Sequence, residues 1–262
     1  QDTEAELFTK YANSYDKIVG EASYYQKLVN NTVKELSRCK RVADIGCGTG
    51  NITLKLLEKG IDVVAIDSND AMLEKARQKI IGKKLPGKVT FIKQDINKNL
   101  HLENDSFDGV CMINVLYWLD KPFDAIDSAY SSLKKGGVLV LSGPKPTQNA
   151  KALIKETLKE FEQKGKLSEL TEDLKVFSEV NRMLAKDAKH FFTTQRLEEI
   201  LIDFAGFDEI IASDYKKGYR TYMGQGFFIA ARKNEDYSKI SAEKITIRPA
   251  KMNEIAKACM IR

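Results

Sequence analysis

The chain has 262 residues, 43% of them hydrophobic and 30% charged, with 16 Gly, 5 Pro and a net charge of +5. That composition excludes disordered, collagen-like and low-complexity chains, and the length suits one large α/β domain or one domain with a small appendage. No apolar run approaches the roughly 20 residues that span a bilayer. The opening QDTEAELFTK is not a signal-peptide pattern, and Gln1 in place of Met leaves room for residues ahead of it. The basic residues are scattered; Lys151, Lys155 and Lys159 share one helical face, read as solvated, and no aromatics interleave with them as a nucleic-acid groove requires. Cys39, Cys47, Cys111 and Cys259 form no CxxC pair, and the only imidazoles are His101 and His190. Neither a metal site nor a structural disulfide is expected, and the unpaired thiols fit a reducing cytoplasm.

In chain order, residues 4–37 read as two helices. From Arg41, hydrophobic runs alternate with amphipathic helical stretches, the pattern of a parallel sheet with crossover helices. Strands are predicted at 41–45, 62–66, 88–92, 107–113 and 137–142, with helices NITLKLLEKG, NDAMLEKARQKI and PFDAIDSAYSSLKKG among them. Gly60 and Gly136-Gly137 stand just past helix ends, where a left-handed residue is wanted. The rhythm breaks after Gly143-Pro144-Lys145-Pro146: a charged helical segment runs from Thr147 to about Lys189, followed by the helix TTQRLEEILIDFAGF. Two late strands, DEIIASDY and YMGQGFFIAARK, are close enough in sequence to pair antiparallel at one edge.

The stretch VADIGCGTGN ends an apolar strand at Asp44 and Ile45, then places three alternating glycines (Gly46, Gly48, Gly50) before a helix. Glycines there free the backbone angles and let a ligand approach the main chain at the carboxyl end of a sheet. The dinucleotide fingerprint GxGxxG needs glycine at 51, and Asn51 stands there, which argues against a nicotinamide dehydrogenase. Asp67 ends the second strand, where a carboxylate can accept hydrogen bonds from ribose hydroxyls. Its alternative role is to cap the helix NDAMLEKA. Asp95, in FIKQDI, is placed for an exocyclic amine such as that of adenine, or is a plain turn residue.

Five elements in this order resemble the class I S-adenosylmethionine-dependent methyltransferases of the small-molecule type, over roughly residues 8–233. VADIGCGTGN resembles the family's glycine-rich motif, AIDSNDAML its acidic motif, KQDI its adenine-binding turn and FDGVCMINVLYWL its fourth strand with the following loop. KKGGVLVLS and TTQRLEEILIDFAGFDEI resemble the fifth strand and the last helix–strand unit. The resemblance implies a doubly wound, mostly parallel seven-stranded Rossmann-like α/β sheet, order 3-2-1-4-5-7-6, with a helical cap inserted at about 145–190. It implies S-adenosyl-L-methionine as cofactor: Gly46, Cys47 and Gly48 along its methionine half, Gly50 completing the loop, and Asp44 beneath, reaching the ammonium directly or through water. Asp67 would hold the ribose, Ser68 and Met72 would flank it and the adenine, and Gln94, Asp95 and Ile96 would form the adenine turn. Tyr15, with Tyr11 as a second candidate, would close over the cofactor, and Asn114 would face the methyl-transfer site.

The electrophile arrives activated, so a general base is optional and the catalytic group stays open. Asn114, Tyr117 and His190 are candidates, with Tyr215 and Tyr219 as further phenols and Trp118 as a pocket wall or a packing residue. N-V-L-Y after the fourth strand, in place of N/D-P-P-Y, turns the reading away from DNA and release-factor methylation. A small-molecule acceptor is expected, with no membrane and no indicated nucleic acid; an RNA or protein methyltransferase of the same fold, and a non-catalytic cofactor-binding subunit, are the alternatives. Residues 234–262 stand apart: after the linker NEDYSKISAEK, ITIRPAKMNEIAKACMIR resembles the first strand and helix of a GNAT-type acetyltransferase, or is an ordinary amphipathic helix. No acetyltransferase activity is expected of it.

Overall fold

Seven strands form one sheet in the order β3-β2-β1-β4-β5-β7-β6 in the computed structural model, which describes residues 4–98, 100–184 and 188–233. The tail bearing the acetyltransferase resemblance lies outside the described residues. The strands are β1 Arg41–Ile45, β2 Asp62–Asp67, β3 Val89–Lys93, β4 Phe107–Ile113, β5 Leu133–Pro144, β6 Phe207–Ser213 and β7 Gly226–Lys233. β1 to β5 run parallel, and β7 is antiparallel to both β5 and β6. The helices are α1 Glu4–Tyr15, α2 Ser23–Glu35, α3 Asn51–Glu58, α4 Asp70–Ile80, α5 Pro122–Ser132, α6 Ala150–Gln163, α7 Thr171–Leu184 and α8 Thr194–Glu199.

The strands are apolar throughout because both faces are covered. Val42, Val63, Cys111 and Val140 pack with Leu28 of α2 and Leu56 of α3 on one side. Ala43, Val64, Met112 and Leu141 pack with Ile126 of α5 and Leu197 of α8 on the other. Alternate residues of one strand thus enter two different cores, as the two-residue side-chain period requires.

Three elements depart from the sequence expectation. The helix expected to run through PFDAIDSAYSSLKKG stops at Ser132, and strand β5 begins at Leu133. Leu133 pairs with Phe107 and Val138 with Gly109, so the residues between bulge outward with Gly136 at φ +75°. Gly136 therefore serves a strand irregularity rather than a helix end, while Gly60, at φ +79°, does follow α3. The charged segment after Pro146 is two helices, α6 and α7, separated by a turn containing Gly165 at φ +68°. Single π-turns, Asp16–Gly20 and Ile200–Ala205, extend α1 and α8.

α7 lies against α1. Phe177 stacks on Tyr11 with ring centroids 5.8 Å apart, Ser14 Oγ donates to Asp173 at 2.8 Å, and Lys17 pairs with the same carboxylate at 2.9 Å. No helix among the described residues is long and apolar enough to cross a membrane.

Candidate active site

Where the parallel strands end, the chain encloses a cavity of about 780 Å³, within the range of small-molecule sites. Its floor is the loop between β1 and α3. Gly46 N and Cys47 N both donate to Ile66 O, at 2.7 and 2.9 Å, and Gly48 N donates to Asp67 Oδ2 at 2.8 Å, which ties the loop to the end of β2. Gly46 and Gly48 take φ of +71° and +53° and need glycine for different reasons. A Cβ on Gly46 would stand 2.3 Å from Val115 Cγ2, whereas one on Gly48 would meet nothing within 4 Å and would fill cavity space.

Asp67 sits at the edge of this floor. Its Oδ1 accepts from Asn69 N at 2.9 Å, so each carboxylate oxygen holds a backbone amide. The carboxylate also lines the cavity, leaving the remaining positions for a ligand. Burial raises its pKa, and the amides of Asn69, Gly48 and Ser68 offset part of that rise. The cap of α4 is Asn69, whose Oδ1 accepts from Met72 N at 3.1 Å, so helix capping, the other role weighed for Asp67, belongs to its neighbour. Asp95 makes the turn, its Oδ1 accepting from Asn97 N at 3.0 Å, and it lines the cavity beside Ile96.

Of the residues singled out in the sequence, the cavity wall brings together Tyr15, Gly46, Gly48, Asp67, Ser68 and Met72. Asp95 and Ile96 join them from the end of β3, Asn114, Tyr117 and Trp118 from beyond β4, and Tyr11 from α1. Asp44, Cys47, Gly50, Gln94, His190, Tyr215 and Tyr219 lie off that wall. Asp44 is 2% exposed beneath the loop, its Oδ2 accepting from Thr53 Oγ1 at 2.6 Å and its Oδ1 3.4 Å from Cys111 Sγ. Burial pushes its carboxyl up to about 6. Cys47 points into the core, where burial and then the charge of Asp44 push the thiol well up, so it is an inert small hydrophobe. Gly50 caps α3, and Gln94 N donates to Asp67 O at 3.0 Å, joining the ends of β2 and β3. His190 meets the site only through its backbone, which donates to Tyr117 O at 3.4 Å. Tyr215 is exposed, and Tyr219 donates its hydroxyl to Glu35 at 2.7 Å.

Sequence reasoning passed over a second group. Asp16, in the π-turn after α1, accepts from Thr49 Oγ1 at 2.6 Å, Asn51 Nδ2 at 3.1 Å and Lys79 Nζ at 2.9 Å. Lys79 Nζ also donates to Asn51 Oδ1 at 2.6 Å. Asn51, which breaks the dinucleotide fingerprint, therefore pins the N-terminal segment to the glycine loop. Burial lowers the Lys79 pKa, and the Asp16 carboxylate counters it. The apolar end of the cavity uses Tyr24 of α2, Leu153 of α6, Phe177 of α7 and Tyr222 ahead of β7. Their common signal, an aromatic or aliphatic residue on an element that crosses the strand ends, becomes visible only once the fold is assembled.

A family profile described as "Methyltransferase domain" matches residues 43–141. The ubiquinone/menaquinone biosynthesis C-methyltransferase UbiE of Pseudomonas aeruginosa is 32% identical over 216 residues, covering 79% of this chain and 81% of that protein. The chain belongs to the class I S-adenosylmethionine-dependent methyltransferases. The Bacillus subtilis protein YqeM is 29% identical over 140 residues, 51% of this chain and 54% of its own length, so the chain spans about half of that relative. In structure, magnesium protoporphyrin IX methyltransferase from Synechocystis, solved with S-adenosylhomocysteine bound, shares the fold with TM-score 0.58 at 18% identity, covering 87% of this chain and 94% of that one.

S-adenosylmethionine is the family's cofactor, and the residues present suit it. The space at Gly48 that a Cβ would fill gives backbone access, and two carboxylates, Asp67 and Asp95, stand along the same edge for hydroxyl and amine donors. Aromatic faces at Tyr11 and Tyr15 suit a cationic sulfur.

Proposed function

We propose that the chain transfers the methyl group of S-adenosylmethionine to a small-molecule acceptor by in-line displacement. The observation that carries the reading is that one cavity joins the Gly48–Asp67–Asp95 edge to an apolar compartment walled by α6 and α7. Bound cofactor supplies an electrophilic methyl group on a sulfonium sulfur. Asp67 accepts hydrogen bonds from the ribose hydroxyls, Asp95 and the Ile96 amide hold the adenine edge, and Gly46 and Gly48 bring backbone against the methionine half. Asp44 braces the loop from below through Thr53. Tyr15 and Tyr11 cover the site, and α6 and α7 act as the helical cap over about 145–190 that excludes water.

The wall's polarity supports a small-molecule acceptor. Among the described residues its only ammonium is Lys145, paired with Asp214 at 2.7 Å, so it offers no unpaired cation for a phosphate backbone. Burial raises the Tyr117 phenol to about 12, which keeps it protonated at neutral pH as an orienting donor rather than a base. The acceptor therefore brings its own nucleophilicity, and the protein supplies proximity and exclusion of water. The sparse, unpaired spacing of the four cysteines in the sequence supports a reducing, cytoplasmic setting. The test is to supply methyl-labelled cofactor and a fractionated cell extract: label entering the low-molecular-weight fraction is expected. Label confined to RNA or protein would overturn the acceptor class.

A further inference from the structure

We infer that the acceptor is an apolar molecule presenting a planar aromatic ring, with Phe191 as the platform on which that ring stacks and Ile154 as a second apolar contact. The inference rests on the methyltransferase reading of the cavity and adds the class of acceptor and two residues that select it.

Of the exposed large hydrophobic residues among those described, only Ile154 and Phe191, 39% and 47% exposed, line the cavity. Both are open to solvent and within reach of a molecule that enters. Single exposed apolar side chains are ordinary, but two on the wall of the same cavity are a surface that a ligand can cover.

The chain on either side of Phe191 is anchored. Lys189 N donates to Tyr117 O at 2.8 Å, and the Lys189 ammonium pairs with Asp120. Phe192 is buried in the core with Phe123 edge-on at 6.1 Å, and Thr193 Oγ1 accepts from Arg196 N at 3.1 Å to cap α8. Held at residue 189 and again at 192 and 193, the backbone keeps the Phe191 ring out of the core and on the cavity wall.

The ring is also aligned. Phe191 and Tyr117 lie within 16° of parallel with centroids 6.3 Å apart, and Trp118 adds a third ring 4.5 Å from Tyr117. All three line the cavity. Aromatic pairs gain more than their buried area alone provides, and a ring already held in place loses little freedom when a ligand covers it. A flat ring therefore binds this wall better than a saturated ring of similar size, which meets it only as apolar surface. Ile154 is held on α6, whose Asn149 cap accepts from Ala152 N at 3.0 Å and donates its own N–H to Gln225 Oε1 at 2.6 Å. An aliphatic side chain covers flat and saturated rings alike, so Ile154 contributes affinity and Phe191 contributes the selection.

Ligand-observed NMR titration of the full chain saturated with S-adenosylhomocysteine tests this with benzyl alcohol and cyclohexylmethanol, which share a hydroxymethyl group and differ in the ring. The wild-type chain is expected to bind benzyl alcohol about three- to ten-fold more tightly, the effect of one aromatic pair. Phe191→Leu keeps apolar bulk and removes the ring, so the two probes should then bind about equally, with S-adenosylhomocysteine affinity unchanged. Ile154→Asn should weaken both probes and leave their ratio as it is. Equal binding of the probes by the wild type, no binding of either, or a preference that survives Phe191→Leu would overturn the inference. Loss of S-adenosylhomocysteine affinity in Phe191→Leu would overturn it too, by placing that ring against the cofactor. So would wild-type co-sedimentation with phosphatidylglycerol vesicles that Phe191→Leu abolishes, since the exposed pair would then be a lipid contact. Failure of the wild type to bind S-adenosylhomocysteine would instead overturn the cofactor-site reading beneath it.

Discussion

Replacing Asp44 by Asn isolates the effect of a charge held beneath the glycine loop. Burial raises the carboxyl from the ordinary 3.8 to about 6, with the Thr53 and Cys111 hydrogen bonds offsetting part of the rise. The folded chain therefore holds an extra proton between these two values, and stability falls as pH rises through that window. At 1.36 kcal/mol per pH unit the penalty reaches about 3 kcal/mol, fully present above the folded value and absent below the unfolded one. Asparagine keeps an oxygen for Thr53 Oγ1 and turns an amide toward Cys111 Sγ, so it loses the charge and little else. Asp44→Asn is expected to be more stable than the parent by about 1–3 kcal/mol at about pH 7.5, or a few degrees in melting temperature for a chain of this size. The gain should vanish by about pH 3, below the unfolded value, where the parent is uncharged at this position in both states. Thermal melts of both chains across that range, without cofactor, make the comparison. A variant less stable at neutral pH, with a gap independent of pH, would refute the reasoning, since Asp44 would then contribute as a hydrogen-bonded anion rather than as a buried charge.

The glycine loop separates two kinds of damage. Gly46→Ala places a methyl 2.3 Å from Val115 Cγ2 at φ +71° and should lower stability by about 2–4 kcal/mol, whereas Gly48→Ala meets no atom and should lower it by only about 1–2 kcal/mol. Titration with S-adenosylhomocysteine should nevertheless show Gly48→Ala losing affinity, because its methyl enters the cavity. Lys79→Met removes the cation that pairs with Asp16 at 2.8 Å and should reduce stability by about 1–3 kcal/mol. Hydrogen exchange should quicken in residues 9–20 and remain slow in the central strands; uniform loss of protection would contradict a local latch.

The sheet was legible because its signals are local. The runs RVADI and DVVAI, the glycines after the first and the carboxylates at strand ends each announce themselves within a few residues, while the strand order followed from the family resemblance that they carry. The start of β5 was not legible: Leu133-Lys134-Lys135 continues an amphipathic helical pattern, and only pairing of Leu133 with Phe107 makes it strand. The cavity-lining residues Gly46, Gly48, Asp67 and Asp95 were legible for the same local reason, although Asp44, Cys47, Gly50 and Gln94 lie outside the wall. The other half of the cavity was not read. Tyr222, Tyr24 and Phe177 come from three separate segments whose convergence has no local pattern, and the link from Asp16 to Lys79 spans 63 residues. His190 attracted notice as a rare imidazole, yet only its backbone reaches toward the site.

The most direct test is calorimetric titration of the full chain with S-adenosylmethionine, alongside Asp67→Ala and the gentler Asp67→Asn, each checked by circular dichroism for an intact fold. The account predicts saturable binding at one site per chain and at least a ten-fold loss of affinity in both variants, since each removes the charged acceptor for the ribose hydroxyls. No saturable binding by the folded wild-type chain, or equal affinity in folded Asp67 variants, would contradict it.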